Sequence, residues 1–63
     1  MPFKIKEARR ERGYTQEELA RRANVSRATI AGLESGTTVV TTTETLIKIA
    51  DALGKKVSDI FLA

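Results

Sequence analysis

The sequence predicts an all-α fold, a compact bundle of five short helices, and three observations carry that prediction. Aliphatic residues recur at helical spacing in four separate stretches. Glycine or asparagine follows each stretch, at Gly13, Asn24, Gly36 and Gly54, where a left-handed residue can end a helix. Cysteine is absent, so a chain of 63 residues must rest on aliphatic side chains alone, near the lower size limit for such a core.

The elements follow in order. Phe3, Ile5 and Ala8 begin the first helix, and Lys4, Lys6, Glu7, Arg10 and Glu11 mostly fall on its solvated face. Thr15 is placed to cap the second helix. Its hydroxyl accepts from the third helical amide while Glu18 reaches back, which is capping-box spacing. Leu19, Ala20 and Ala23 form the inward stripe of that helix, with Arg21 and Arg22 outside. Asn24-Val25 is the turn: asparagine tolerates positive φ, and Val25 points back into the core. Ser26 caps the third helix, whose inner face is Ile30 and Leu33.

Residues 37–43, Thr-Thr-Val-Val-Thr-Thr-Thr, favour extended backbone and predict a straight loop that can pair briefly as an edge strand. Thr41 and Glu44 have capping-box spacing for the fourth helix, which carries Leu46, Ile47, Ile49, Ala50 and Leu53 in a helical repeat. Ser58 is placed to cap a last turn, with Val57 and Leu62 as a hydrophobic staple. The expected organisation is one domain over 1–63, with no repeat and no linker.

Composition excludes several function classes. Without histidine or cysteine the chain lacks the commonest metal ligands and the usual general base at neutral pH. It has no clustered carboxylates and no glycine-rich phosphate loop, so an enzyme is not expected, nor a cofactor or metal. No apolar run approaches the roughly 18 residues of a membrane span, which predicts a cytoplasmic protein without a membrane partner. The net charge of +3 is modest. Its distribution says more: Lys4, Lys6, Arg9, Arg10, Arg12, Arg21, Arg22 and Arg27 all precede residue 28.

The most informative stretch is 15–36. Two short helices joined by a tight turn, the second presenting an arginine at its first position, can offer a helix to the major groove of DNA. In residues, Thr15-Gln16-Glu17-Glu18-Leu19-Ala20, the Val25-Ser26 turn, Ile30 and Leu33-Glu34-Ser35-Gly36 resemble the helix-turn-helix of the lambda-repressor-like family of phage repressors, Cro proteins and Cro/XRE-type regulators. Thr45-Leu46-Ile47-Lys48-Ile49-Ala50-Asp51-Ala52-Leu53-Gly54 resembles that family's fourth helix. The resemblance covers essentially the whole chain. It implies a prokaryotic or phage-encoded transcriptional regulator, a repressor or dual regulator, that binds operator DNA (double-stranded) as a homodimer. One departure stands out. The segment between the third and fourth helices is neutral and threonine-rich, where family members often carry basic residues and a proline.

The DNA-binding candidates are Gln16, Ser26, Arg27, Ala28, Thr29 and Gly32. Arg27 can bond guanine O6 and N7 bidentately, or contact only a phosphate or solvent. Ala28 offers a methyl to a thymine methyl, or is simply a helix former. Gly32, at a cost of roughly 1 kcal/mol to its helix, reads as a point of close approach to the duplex on the outer face, or else as tight packing. The hydroxyls of Ser26 and Thr29 suit phosphate oxygens. The resemblance implies that Gln16 donates to a phosphate and braces the recognition helix, and that Arg9 and Glu34 form a structural ion pair. Ile60, Phe61 and Leu62 are candidate dimer contacts, with burial in the domain's own core the expectation for Phe61. An antitoxin or a restriction-modification controller would use the same residues. A protein-interaction module without DNA binding would instead carry acidic or bulky residues where Arg27, Ala28 and Gly32 stand.

Overall fold

Among the described residues, four of five helices end where the backbone turns left-handed. A computed structural model describes residues 3–37 and 42–61 of the chain. Helices α1 (Ile5–Glu11), α2 (Gln16–Ala23), α3 (Arg27–Ser35) and α4 (Thr43–Leu53) are each followed within two residues by a positive-φ position. Asn24 is the only one of these that is not glycine, with φ 56° and ψ 44°. Its amide and that of Val25 close onto the carbonyls of α2, so the chain leaves that helix by a one-residue reversal. Helix α5 (Val57–Ile60) is a single turn.

Helix α2 packs on both α3 and α4, α1 packs on α3, and α5 packs on α4. Ile5, Leu19, Ile30, Leu33, Ile49, Leu53 and Ile60 meet between them and are fully buried. Each such side chain contributes about 1.5–3 kcal/mol on burial. Ala8, Ala20, Ala23 and Ala50 fill the same core and let the short helices approach closely. Val25 packs against it from the turn, partly buried. The two ends of the described chain are joined: Phe3 and Phe61 form an isolated antiparallel bridge, and the Lys4 amide donates to the Ile60 carbonyl at 2.7 Å.

Local chemistry departs from expectation at five places. Glu18 does not complete a capping box. Thr15 Oγ1 accepts from the Glu18 amide at 3.0 Å, but the Glu18 carboxylate turns outward to Arg21 and Arg22. The cap of α4 is Thr42, whose Oγ1 accepts from the Thr45 amide at 3.1 Å, while Thr41 lies outside the described residues. The helix thus starts one residue later, and Glu44 is left to pair with Lys48. Ser58 lies inside α5 rather than capping it. The cap position is Lys56, whose amide is taken by the Asp59 carboxylate at 2.9 Å.

Two apolar assignments also change. Ile47 is 46% exposed, because α4 buries the stripe formed by Leu46, Ile49, Ala50 and Leu53, and Ile47 falls beside it. At the C-terminal end Ile60 is buried and Phe61 is 40% exposed. The backbone becomes extended at Phe61, so the two neighbours face opposite ways. The Phe61 ring rests against Phe3, centroids 5.4 Å apart, instead of entering the core. Leu62 and most of the threonine-rich segment, with its expected edge pairing, lie outside the described residues.

Candidate nucleic-acid interface

The turn after Asn24 delivers Ser26 in extended conformation, φ −75° and ψ 151°, and its hydroxyl accepts from the Thr29 amide at 3.1 Å. This side-chain cap fixes where α3 begins and therefore which residues lead it. The Ser26 and Thr29 hydroxyls also bond each other at 2.8 Å. Arg27 and Ala28, the next two residues, are exposed. Arg27 is held in no ion pair among the described residues. Its side chain borders a shallow depression of about 380 Å³ shared with Thr15, Gln16 and Glu17. The leading edges of α2 and α3 therefore open onto the same patch of surface.

Behind that patch lies a buried polar knot. Arg9 on α1 donates Nε to Glu34 Oε2 at 2.7 Å and Nη2 to Oε1 at 3.0 Å, a bidentate pair with α3. Its remaining nitrogen, Nη1, donates to the Tyr14 carbonyl at 2.7 Å, in the loop between α1 and α2. Gln16 Nε2 donates to Glu34 Oε1 at 3.2 Å. One carboxylate thus ties three helices together. Burial would push the Glu34 carboxyl up, but hydrogen bonds from Arg9 and Gln16, with the positive charges of Arg9 and Lys6, outweigh it and hold the group below its ordinary range. The hydrogen bond to Glu34 raises Arg9 in turn, keeping it charged.

Gly32 is not on the open outer face. It is buried, and three groups converge on its carbonyl: the Gly36 amide at 3.1 Å, the Ser35 hydroxyl at 3.2 Å and the Thr37 hydroxyl at 3.5 Å. The backbone turns left-handed at Gly36, φ 84°. The helical wheel faces Gly32 away from Ile30, yet the residue is buried. This burial agrees with the tight-packing reading of the glycine. The outer edge of α3 instead carries Arg27, Ala28 and the half-buried Ala31.

The peripheral arginines of α2 are engaged elsewhere. Arg21 and Arg22 both bind Glu18 at 2.6 Å, and the Arg22 guanidinium lies 4.6 Å from the centre of the Tyr14 ring. Sequence reasoning gave no sign of the Arg9–Tyr14 carbonyl bond or of this stacking, since both depend on the loop geometry.

Residues 5–60 match the model of a family described as helix-turn-helix. This chain belongs to that helix-turn-helix family. The chain is 47% identical over 62 residues to an HTH-type transcriptional regulator of Methanothermobacter thermautotrophicus, covering 92% of this chain and 84% of that protein. It is 39% identical over 61 residues to the HTH-type transcriptional regulator YgzD of Bacillus subtilis, covering 97% and 91%. Among solved structures, the SinR master regulator for biofilm formation in complex with DNA superposes with a TM-score of 0.83, at 30% identity and 86% coverage of each chain. The clp gene regulator ClgR of Corynebacterium glutamicum gives a TM-score of 0.79 at 33% identity, covering 87% of this chain and 57% of that one.

As a helix-turn-helix protein the chain is one of a family of DNA-binding transcription regulators, of the Cro/XRE type, and not an enzyme. Its α2 and α3, with the turn at Asn24 and Val25, are the motif itself. No helix among the described residues is long and apolar enough to cross a membrane.

Proposed function

We propose that this chain is a sequence-specific transcriptional regulator, a repressor, that binds operator DNA with α3 in the major groove. The observation that carries this reading is the exposed Arg27–Ala28 leading edge of α3, capped by Ser26 and flanked by the N-terminus of α2. Arg27 supplies the fork that matches guanine O6 and N7, and Ala28 supplies a methyl. The Ser26 and Thr29 hydroxyls, and the amides at the start of α2 beside Gln16, meet the phosphates on either side. SinR, at the similarity given above, is a relative seen in complex with DNA.

One module of this size makes few contacts, so a homodimer on two half-sites about 34 Å apart is the form that gains useful affinity. Of the candidates Ile60 and Phe61, Phe61 is exposed and free for that contact, whereas Ile60 is spent on the core.

Selection of bound duplexes from a random library tests the proposal. The expected product is a short pseudo-palindrome whose half-sites lie about one helical turn apart. A library that shows no enrichment, or a motif without symmetry, would count against the operator or the dimer respectively.

A further inference from the structure

Beside the Arg27 patch lies a second depression, of about 330 Å³, that no step above uses. It is walled by Lys6 and Arg10 of α1 on one side and by Ala31 and Ser35 of α3 on the other, with Gln16 and the buried Arg9–Glu34 pair at its base. Lys6 and Arg10 stand one turn apart, at i and i+4, so their side chains rise from one face of α1. Both are exposed, and neither is held in an ion pair among the described residues. Arg9 cancels Glu34 across a bidentate bond, so the depression retains the two remaining positive charges.

The two depressions share Arg9 and Gln16, and Arg27, Ala31 and Ser35 follow at i, i+4 and i+8 along α3. They therefore open side by side along one edge of that helix, Arg27 at its start and the Lys6–Arg10 pair beside its second half. Residues 36–43 contain no charged side chain, so the chain that follows α3 brings no cation to that end.

We infer that Lys6 and Arg10 form a seat for a DNA backbone phosphodiester, clamping the duplex at the far end of α3 while Arg27 reads its near end. The inference rests on the reading of α3 as the recognition helix. The seat adds affinity and fixes how deep α3 lies, without regard to base sequence.

The test is a fluorescence titration of the whole chain with its selected duplex over a range of salt, for wild type, Lys6→Gln/Arg10→Gln and the charge-preserving Lys6→Arg/Arg10→Lys. Removing one phosphate contact should flatten the log–log salt slope by about 0.9 and weaken binding on the order of tenfold near physiological salt. The loss should be equal for the selected and for scrambled duplexes, and the charge-preserving variant should restore the slope. Replacing single phosphates by neutral methylphosphonates should reveal one position per half-site that costs the wild type affinity and the glutamine variant nothing further.

An unchanged slope in the glutamine variant, with wild type binding normally, overturns the seat alone. So does a loss confined to the selected sequence, or one spread evenly over all methylphosphonate positions. A wild type that binds no duplex overturns the reading of α3, and the seat with it.

Discussion

Gln16, the first helical residue of α2, donates its side-chain amide to Glu34, near the last residue of α3, at 3.2 Å. The two helices of the motif are therefore joined at the start of one and the end of the other, through a carboxylate that Arg9 already holds from α1. The crossing of α2 and α3 is set by this knot as well as by Leu19, Ile30 and Leu33. The knot is also where the domain is most vulnerable.

Removing one partner leaves a buried charge unpaired. The Arg9 and Glu34 side chains are only 12% and 4% exposed, so Glu34→Ala should cost about 3 kcal/mol or more, read as a fall in the urea midpoint. Gln16→Ala, which breaks one bond and strands no charge, should cost only about 1 kcal/mol.

Stability should fall in acid for the same reason. Glu34 titrates below its ordinary value of 4.5 in the folded protein. Its contribution is therefore complete above that value and is lost as pH drops through the folded one. Urea midpoints between pH 7 and pH 3 should show this decline, and Glu34→Gln, less stable throughout, should show a shallower one. Equal slopes for the two proteins would place the acid sensitivity elsewhere.

Gly54 ends α4 at φ 67°, and a Cβ placed there would overlap the Arg12 guanidinium. Gly54→Ala should destabilise by about 1 kcal/mol through the left-handed backbone. Part of any further loss should disappear in an Arg12→Ala background, because the Arg12 side chain is the group that must move.

At the proposed reading edge, Arg27→Ala should relax preference at one guanine per half-site, a loss of about 1–3 kcal/mol of discrimination. Equal weakening on every sequence would assign Arg27 to a phosphate. Ser26→Ala should instead lower stability by about 1 kcal/mol through the lost cap, seen in thermal unfolding without DNA.

How much of this was legible beforehand divides along physical lines. Helix ends were readable because they are local. Asn24, Gly13, Gly36 and Gly54 end helices by backbone conformation, and Thr15 and Ser26 start them by a bond three residues long. The partners of Arg9 and Glu34 followed from the family resemblance, not from spacing. What failed was tertiary. Gly32 faces outward on a helical wheel, yet it is buried in the folded chain. Phe61 is more apolar than most surface residues, but the switch to extended backbone after α5 turned Ile60 inward in its place. Thr42 rather than Thr41 caps α4, and in a run of identical residues the sequence alone cannot choose the register. The Lys6–Arg10 groove needed α1 laid against α3 before its two cations could be seen to share a wall.

The pairing of Phe3 with Phe61 has a topological consequence. Residues opposed across an antiparallel bridge sit about 5 Å apart at their α-carbons, so a linker of a few residues could splice head to tail. A circularly permuted chain, cut between Thr37 and Thr42, would then begin with α4 and finish with α3. It should retain the fold, and α3, the proposed recognition helix, would become the last one synthesised.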